Sequence, residues 1–435
     1  MRNTEKTAPM PRARGFAALC ITYFLSVFTN NFFKQSVMLL AIAAGREQLQ
    51  VWATVLIYLP FLLLAAPAGF FADRFAKRTV VVWCKILELA AMLIAAFAIM
   101  TMNWSLILIV LAVEGIQSAL FSPAINGTIP AIFAPELVTK ANAIVRMVST
   151  GGILAGVAVA GFALDIPGLI ARLPANRLTI AVAVVILMLL AIIASLKLPR
   201  FAAVSPDLKF PITGPLDTLK TLAAIRRDYL LGIAIIAQAA FYFIGMLNIL
   251  VINQLGIMQF KLSPSLTSVL ILAQLLGIAG GGLIAARLAK GPRWYKVLVP
   301  AAILLAFCML ATGSAPRLDT FLSSVLADYP LLTKFLVDSY LVVVLGLMGI
   351  GGGIYMVPLD AFIQVRPAAD KKGQIIAASN FTCFSGVLIS GPVLWVYNHF
   401  TVAPTNIFAS IGIFILIASI FLKLALNHHD RMNNS

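Results

Sequence analysis

Read by hydropathy, the chain is a series of long apolar runs separated by short polar breaks. A membrane-crossing helix needs about 20 mostly apolar residues. Twelve segments meet that length, at about 16–40, 52–71, 79–101, 104–122, 142–163, 178–198, 229–252, 265–286, 295–313, 337–358, 373–397 and 404–427. The longest polar connection, from Pro199 to Asp228, separates the first six from the last six. Pro206, Pro211, Gly214 and Pro215 punctuate it, as expected of a linker, and the stretch after Pro215 could form a short surface helix. The pattern predicts an all-α membrane protein of two six-helix bundles: 1–198, a cytoplasmic linker at 199–228, and 229–435. A further insertion, Ser314 to Leu336, is half apolar and expected on the extracytoplasmic side.

Composition agrees with lipid as the solvent. The 435 residues are 61% hydrophobic and 11% charged, with a mean hydropathy of +1.00. Soluble domains carry roughly 25% charged residues. The net charge of +16 would suggest nucleic acid in a soluble protein. Here loops explain it, because cytoplasmic loops of membrane proteins accumulate Lys and Arg. With the termini placed inside, only Arg46, Arg172, Arg177, Lys261, Arg317 and Lys334 fall in outer loops. Both termini are therefore expected in the cytoplasm, with the basic N-terminal residues followed by an uncleaved first helix. Cys20, Cys84, Cys308 and Cys383 lie in apolar runs at no metal-binding spacing and read as small buried hydrophobes. No P-loop and no catalytic set occur, so neither enzyme activity, a metal, a cofactor nor ATP binding is expected.

Polar residues inside the spans are the candidate chemistry, since charge in hydrocarbon is costly and usually faces a cavity or a partner. The first span carries Asn30, Asn31, Lys34 and Gln35. At helical spacing Asn30 shares a face with Lys34, and Asn31 with Gln35. Cavity lining is favoured for this group over packing. Glu88, Glu114 and Arg146 are further charges in the first half; they suit either mutual pairing or a substrate or ion site, and Lys85 lies i,i+3 from Glu88. The second half is nearly uncharged in its spans, with Asn248, Asn253, Gln274 and Asn380 as its polar residues and Asp338 and Asp360 near helix ends. A charged bundle facing an apolar one suits an amphiphile. Gly280–Gly282 and Gly351–Gly353 permit close helix approach.

The break between the second and third spans reads Gly69-Phe70-Phe71-Ala72-Asp73-Arg74-Phe75-Ala76-Lys77-Arg78. This G-x-x-x-D-R-x-A-K-R run resembles the signature loop of major facilitator superfamily transporters, which usually has Gly where Ala76 stands. A decayed copy at Gly282–Lys290 has Ala286 in place of the Asp. Gly115-x(7)-Pro123 followed by Lys140-Ala-Asn142 is echoed by Gly349-x(8)-Pro358 followed by Lys372-Gly-Gln374. Duplication of six spans, with substrate between the halves, is the plan the resemblance implies. It also implies that Gly69, Asp73, Arg74, Lys77 and Arg78 form a gating motif. Asp73 would latch onto the positive N-terminus of the eleventh helix at Lys372-Gly373-Gln374, and Lys77 and Arg78 would sit at anionic headgroups.

Several stretches are similar to one branch, the bacterial lysophospholipid transporters, including transporter halves fused to acyltransferase/acyl-carrier synthetase enzymes. They are Phe24-Leu-Ser-Val-Phe28-Thr-Asn-Asn31, Phe71-Ala-Asp73-Arg-Phe-Ala-Lys77, Phe121-Ser-Pro123-x-x-x-Gly127, Leu137-Val-x-Lys140-Ala-Asn142-Ala and Gly349-Ile-Gly-Gly-Gly353-x-x-x-Val-Pro358-Leu. The resemblance implies inward flipping of a lysophospholipid across a bacterial inner membrane, with an acyltransferase partner downstream; the chain is expected to be a monomer. The family usually has Asp where Asn30 stands, Lys at Ile125, Glu near Arg146 and Arg near Asn248. The expected substrate site is Asn30, Asn31, Lys34, Glu114, Arg146 and Asn248. The alternative is a proton-coupled exporter of small or drug-like solutes, with Glu114 as the titrating acid. A non-transporting receptor on the same fold is the third reading.

Overall fold

The computed structural model describes residues 12–133, 135–170, 173–203, 228–291, 293–367 and 372–434, together with Ser205, Asp207, Phe210 and Leu222. The surface helix expected after Pro215 lies outside the described residues. Eleven helices are long and apolar enough to cross a membrane, and a bent pair supplies the twelfth span. Each coincides with one of the segments expected from hydropathy. The fold is all-α apart from a two-residue antiparallel ladder, Leu169–Ile170 with Leu173–Pro174.

In chain order the helices are α1 (Arg12–Ala43), α2 (Leu49–Leu63), α3 (Ala65–Arg74), α4 (Lys77–Thr101), α5 (Trp104–Asn126), α6 (Ile129–Ile132), α7 (Pro135–Leu164) and α8 (Ala175–Ser195). They continue as α9 (Tyr229–Gln254), α10 (Pro264–Leu288), α11 (Leu298–Gly313), α12 (Ala315–Val325), α13 (Pro330–Val365), α14 (Lys372–His399) and α15 (Pro404–Asn434). Apolar side chains stand exposed around the spans, among them Trp83, Phe97, Leu283 and Phe307. That is the surface of a helix whose solvent is lipid.

The second span is broken rather than continuous. Its halves, α2 and α3, meet at 57°. Pro67 has no N–H and its ring crowds the carbonyl four residues back, at Leu63, where α2 ends. The chain resumes as helix through the Ala68 N–H, which donates to Leu64 O at 2.8 Å.

The chain divides into two compact units, Met1–Val37 with Leu63–Gly214, and Met38–Leu62 with Pro215–Ser435. In the first, α1 and α7 meet backbone to backbone at two glycines. A Cβ on Gly156 would lie 2.6 Å from Phe28 O, and one on Gly152 would lie 3.2 Å from Phe24 O. Helix ends are closed locally. Met102 turns left-handed (φ 53°) after α4, Asn103 Oδ1 accepts from Leu106 N at the start of α5 (3.1 Å), and Arg177 donates to Met100 O at 3.1 Å.

In the second unit α10 and α13 are zipped together by glycine. A Cβ would come within 2.1 Å of Gly346 O at Gly277, 2.1 Å of Ile350 O at Gly281, 2.0 Å of Gln274 O at Gly349 and 2.1 Å of Ile278 O at Gly353. The flanking glycines of both runs do other things: Gly280 borders open space and Gly352 faces the Phe241 ring. A π-helical turn, Leu255–Gln259, extends α9 and brings Gln259 to the start of α15, where it donates to Thr405 Oγ1 (2.8 Å) and accepts from Thr405 N (3.1 Å). The insertion folds as α12 and the first turns of α13. With Phe260 they line a half-open pocket of about 330 Å³ that includes Asp319, Ser323, Thr333, Lys334 and Asp338.

The glycine contact predicts a sharp contrast between adjacent positions. Gly281→Leu forces a side chain into a backbone carbonyl and should cost at least the ~1–3 kcal/mol of an overpacked core. Gly280→Ala meets nothing and should stay within about 0.5 kcal/mol. Thermal unfolding of the two variants in detergent, read beside the parent, measures both.

Candidate functional site

Three helices of the first unit converge on one polar cluster. Lys85 and Glu88, one turn apart on α4, are both fully buried and joined as an ion pair. The Lys85 ammonium also bonds Ser26 Oγ of α1 and lies 4.1 Å from the centre of the Phe121 ring. Gln117 of α5 donates to Glu88 Oε2 at 2.9 Å. Asn30 of α1 stands between the carboxylates. With its amide nitrogen toward them it donates to Glu88 Oε1 and to Glu114 Oε2, both at 2.8 Å, and accepts from Ser118 Oγ at 3.1 Å. The opposite orientation would press its oxygen against two carboxylate oxygens, so charge decides the amide. Glu114 is 5% exposed, and among the described residues its Oε1 has no hydrogen-bond partner. The spacing that directs Glu114, Gln117 and Ser118 to one face is i, i+3, i+4 on α5.

The expected site residues are distributed around this cluster. Asn30 and Glu114 meet directly. Lys34 lies one helical turn along α1 from Asn30 and is half-buried. Arg146 is exposed on α7 and acts electrostatically on Tyr23, whose ring lies 6.1 Å from that of Phe121. Asn31 points elsewhere: its amide donates to Val27 O at 2.8 Å, and its Cβ lies 3.1 Å from where a Cβ on Gly156 would stand. Its structural place is in the α1–α7 contact. Asn248, in the second unit, is buried with its nitrogen 3.5 Å from Met348 Sδ, and its Oδ1 has no hydrogen-bond partner among the described residues. Ser26, Gln117 and Ser118 escaped the sequence reading, although a Gln three residues after a mid-span Glu is a usable signal.

The second unit's polar contacts are smaller. Gln238 of α9 donates to Asp360 of α13 and accepts from Ser379 Oγ of α14. Asn253 donates to Gln50 Oε1 at 3.4 Å. Asp228 accepts from Leu231 N (3.2 Å) at the start of α9 and pairs with Arg366 Nε at 2.8 Å.

The loop between α3 and α4 is only Phe75 and Ala76. Ala76 has φ −57°, which any L-residue adopts, so glycine is not required there. Lys77 differs from its expected place at headgroups. It is 8% exposed and its ammonium reaches Ala72 O at 3.3 Å and Asp73 Oδ1 at 3.6 Å. Gly127 leaves room for it, since a Cβ there would lie 3.0 Å from Lys77 Nζ. Arg78 donates to Leu196 O, closing the end of α8, and Arg74 lies 5.4 Å over the Phe70 ring. Gly69 has open space beside it. Asp73 keeps a half-exposed carboxylate, while its own carbonyl accepts from Ser205 N at 3.0 Å. The side chains at 372 and 373, where its latch was expected, lie outside the described residues.

A sequence profile of the Major Facilitator Superfamily matches residues 16–392. The chain belongs to this superfamily. It is a multi-pass membrane transporter, not an enzyme. Among relatives, the Lysophospholipid transporter LplT of Serratia proteamaculans (strain 568) is 26% identical over 366 residues, covering 81% of each chain. That of Yersinia pestis (strain Pestoides F) is 27% identical, covering 81% of this chain and 79% of its own. Solved superfamily folds superpose along nearly the whole length. A POT family transporter in complex with a thioalcohol-conjugated peptide gives a TM-score of 0.65 at 13% identity, covering 94% of this chain and 96% of that one. A bacterial homologue of the human lysosomal transporter Spinster gives 0.63 at 14% identity, with 96% of both covered. At such identities these neighbours speak for the fold alone.

Burial separates two neighbours in the signature loop. Lys77→Ala strips a buried carbonyl of a charged donor and should cost roughly 1.5–3 kcal/mol. Asp73→Asn alters a half-exposed pair and should stay within about 0.5 kcal/mol. Melting curves of the two purified variants check the order.

Proposed function

We propose that this transporter moves a lysophospholipid across the bacterial inner membrane by alternating access. The observation that carries the reading is similarity to lysophospholipid transporters along 81% of the chain, at 26–27% identity. The distribution of charge supports it. The spans of the first bundle hold Lys34, Arg146 and the Asn30–Glu114 cluster, groups suited to a charged headgroup, and those of the second are mostly apolar with Asn248 among their few polar residues. In this proposal the bundles are 1–198 and 229–435, both termini are cytoplasmic, and an acyltransferase consumes the delivered lipid. In this proposal the half-exposed Asp73 carboxylate is the gating residue of the signature loop. Asn31 belongs to the same proposed group, with one amide N–H on Val27 O and the rest of its amide left for a headgroup.

The test is translocation of labelled lysophosphatidylethanolamine in proteoliposomes holding the purified chain. Saturable movement above protein-free vesicles is expected. Lys34→Met should lower it about tenfold or more, the size of one lost charge-assisted contact at roughly 1.5–3 kcal/mol. A folded sample that moves no lysolipid contradicts the proposal. Near-parental rates in Lys34→Met would return that lysine to packing.

A further inference from the structure

The half-open pocket at the insertion of the second unit carries both signs of charge. Asp319 on α12, with Lys334 and Asp338 one turn apart on α13, lines its volume of about 330 Å³. Lys334 and Asp319 are the charged groups that act on Asp338. Among the described residues, no ion pair or hydrogen bond holds any of these three side chains. Two carboxylates and an ammonium therefore stand around a void with their hydrogen-bonding capacity unspent on protein. The carboxylates repel a simple anion. The ammonium repels a metal ion, which would also need about six oxygen ligands. A ligand that carries an ammonium and an anionic group together answers all three charges. Quaternary ammonium is bound by aromatic faces, and Phe260 is the one ring on the pocket wall among the described residues. A primary ammonium, able to donate to Asp319 and Asp338, is the better match.

Hydrocarbon surface surrounds this pocket. On α12, Asp319 and Ser323 face it at i,i+4 spacing, and Phe321 and Val325 stand exposed on the opposite side of the helix. Arg317, Thr320 and Ser324 make a third, exposed polar face. A short helix divided in this way suits the plane of a membrane interface. On α13, Leu332 and Leu336 are exposed in helical register with Val343 and Leu347 farther along the span. The lipid-facing stripe of that span thus runs without a break into the insertion.

We propose that α12 lies in the outer-leaflet interface and that the pocket behind it docks the headgroup of a lipid with a primary ammonium beside its phosphate, such as lysophosphatidylethanolamine. Asp319 and Asp338 hold the ammonium, Lys334 holds the phosphate, and the acyl chain runs along Leu332 and Leu336. This site belongs to the second unit, whereas the Asn30–Glu114 cluster belongs to the first. It rests on the proposed function, with this end of the spans extracytoplasmic, and adds the place where the lipid is held on arrival.

Photolabelling of the purified full-length protein in phosphatidylcholine nanodiscs tests it, with lysophosphatidylethanolamine carrying a diazirine in its acyl chain as the probe. Label mapped by peptide mass spectrometry is expected within residues 315–343. A choline-headed probe with the same chain should label that segment about tenfold less, the size of one lost charge-assisted hydrogen bond. The same drop is expected for the ethanolamine probe when Asp319→Asn and Asp338→Asn are combined. Equal labelling by the two probes overturns the proposal, and that comparison needs no variant. Undiminished labelling in the folded double variant overturns it too. So does competition by water-soluble O-phosphoethanolamine as potent as that by unlabelled lysolipid, which would make the pocket a site for a free amine. Labelling here without translocation in proteoliposomes would defeat only the transport reading, and translocation without labelling here only the docking site.

Discussion

An ammonium and a carboxylate held one turn apart in the middle of a membrane helix set the terms for the first unit. Lys85 and Glu88 have no water to return to, so every remaining lone pair and proton on them must find a partner from another helix. Ser26 comes from α1, Gln117 from α5, and the Phe121 face from α5 as well. The ion pair thereby fixes the register of three spans. Helix association in lipid lacks a hydrophobic drive, and such polar contacts together with close packing must supply it. The second unit takes the other route. Its zip between α10 and α13 uses backbone approach at four glycines and places no charge at that contact.

The two strategies leave the two units chemically unlike. The buried Lys85–Glu88 pair, Glu114 and the signature loop lie in the first unit. The second offers amides, a Gln238–Asp360–Ser379 contact near one end of its spans, and apolar walls.

Much of the fold was legible in the sequence because hydrocarbon is an exacting solvent: twelve runs of the right length can be counted directly. The bend at Leu64 was less legible, since Pro67 announces a fault in a helix but not its angle. The i,i+3 spacing of Lys85 and Glu88 made their pairing readable from one helix. Asn30's role was not readable, because bridging carboxylates on α4 and α5 is a property of three helices at once. Lys77 shows the limit of the positive-inside rule. The rule places a residue in a loop, and only packing reveals that its ammonium turns inward to carbonyl Ala72 O through the space left by Gly127. Ala76 shows the converse, where a departure from the family pattern costs nothing at φ −57°.

The account's central claim is that the Lys85–Glu88 pair is the polar core around which the first unit is built. A double-mutant cycle on thermal unfolding of the full-length protein tests it. Lys85→Met alone should destabilise by about 3–5 kcal/mol, as expected when one member of a buried pair is removed. Adding Glu88→Gln should restore most of that loss. Independent, additive losses at the two positions would contradict the claim.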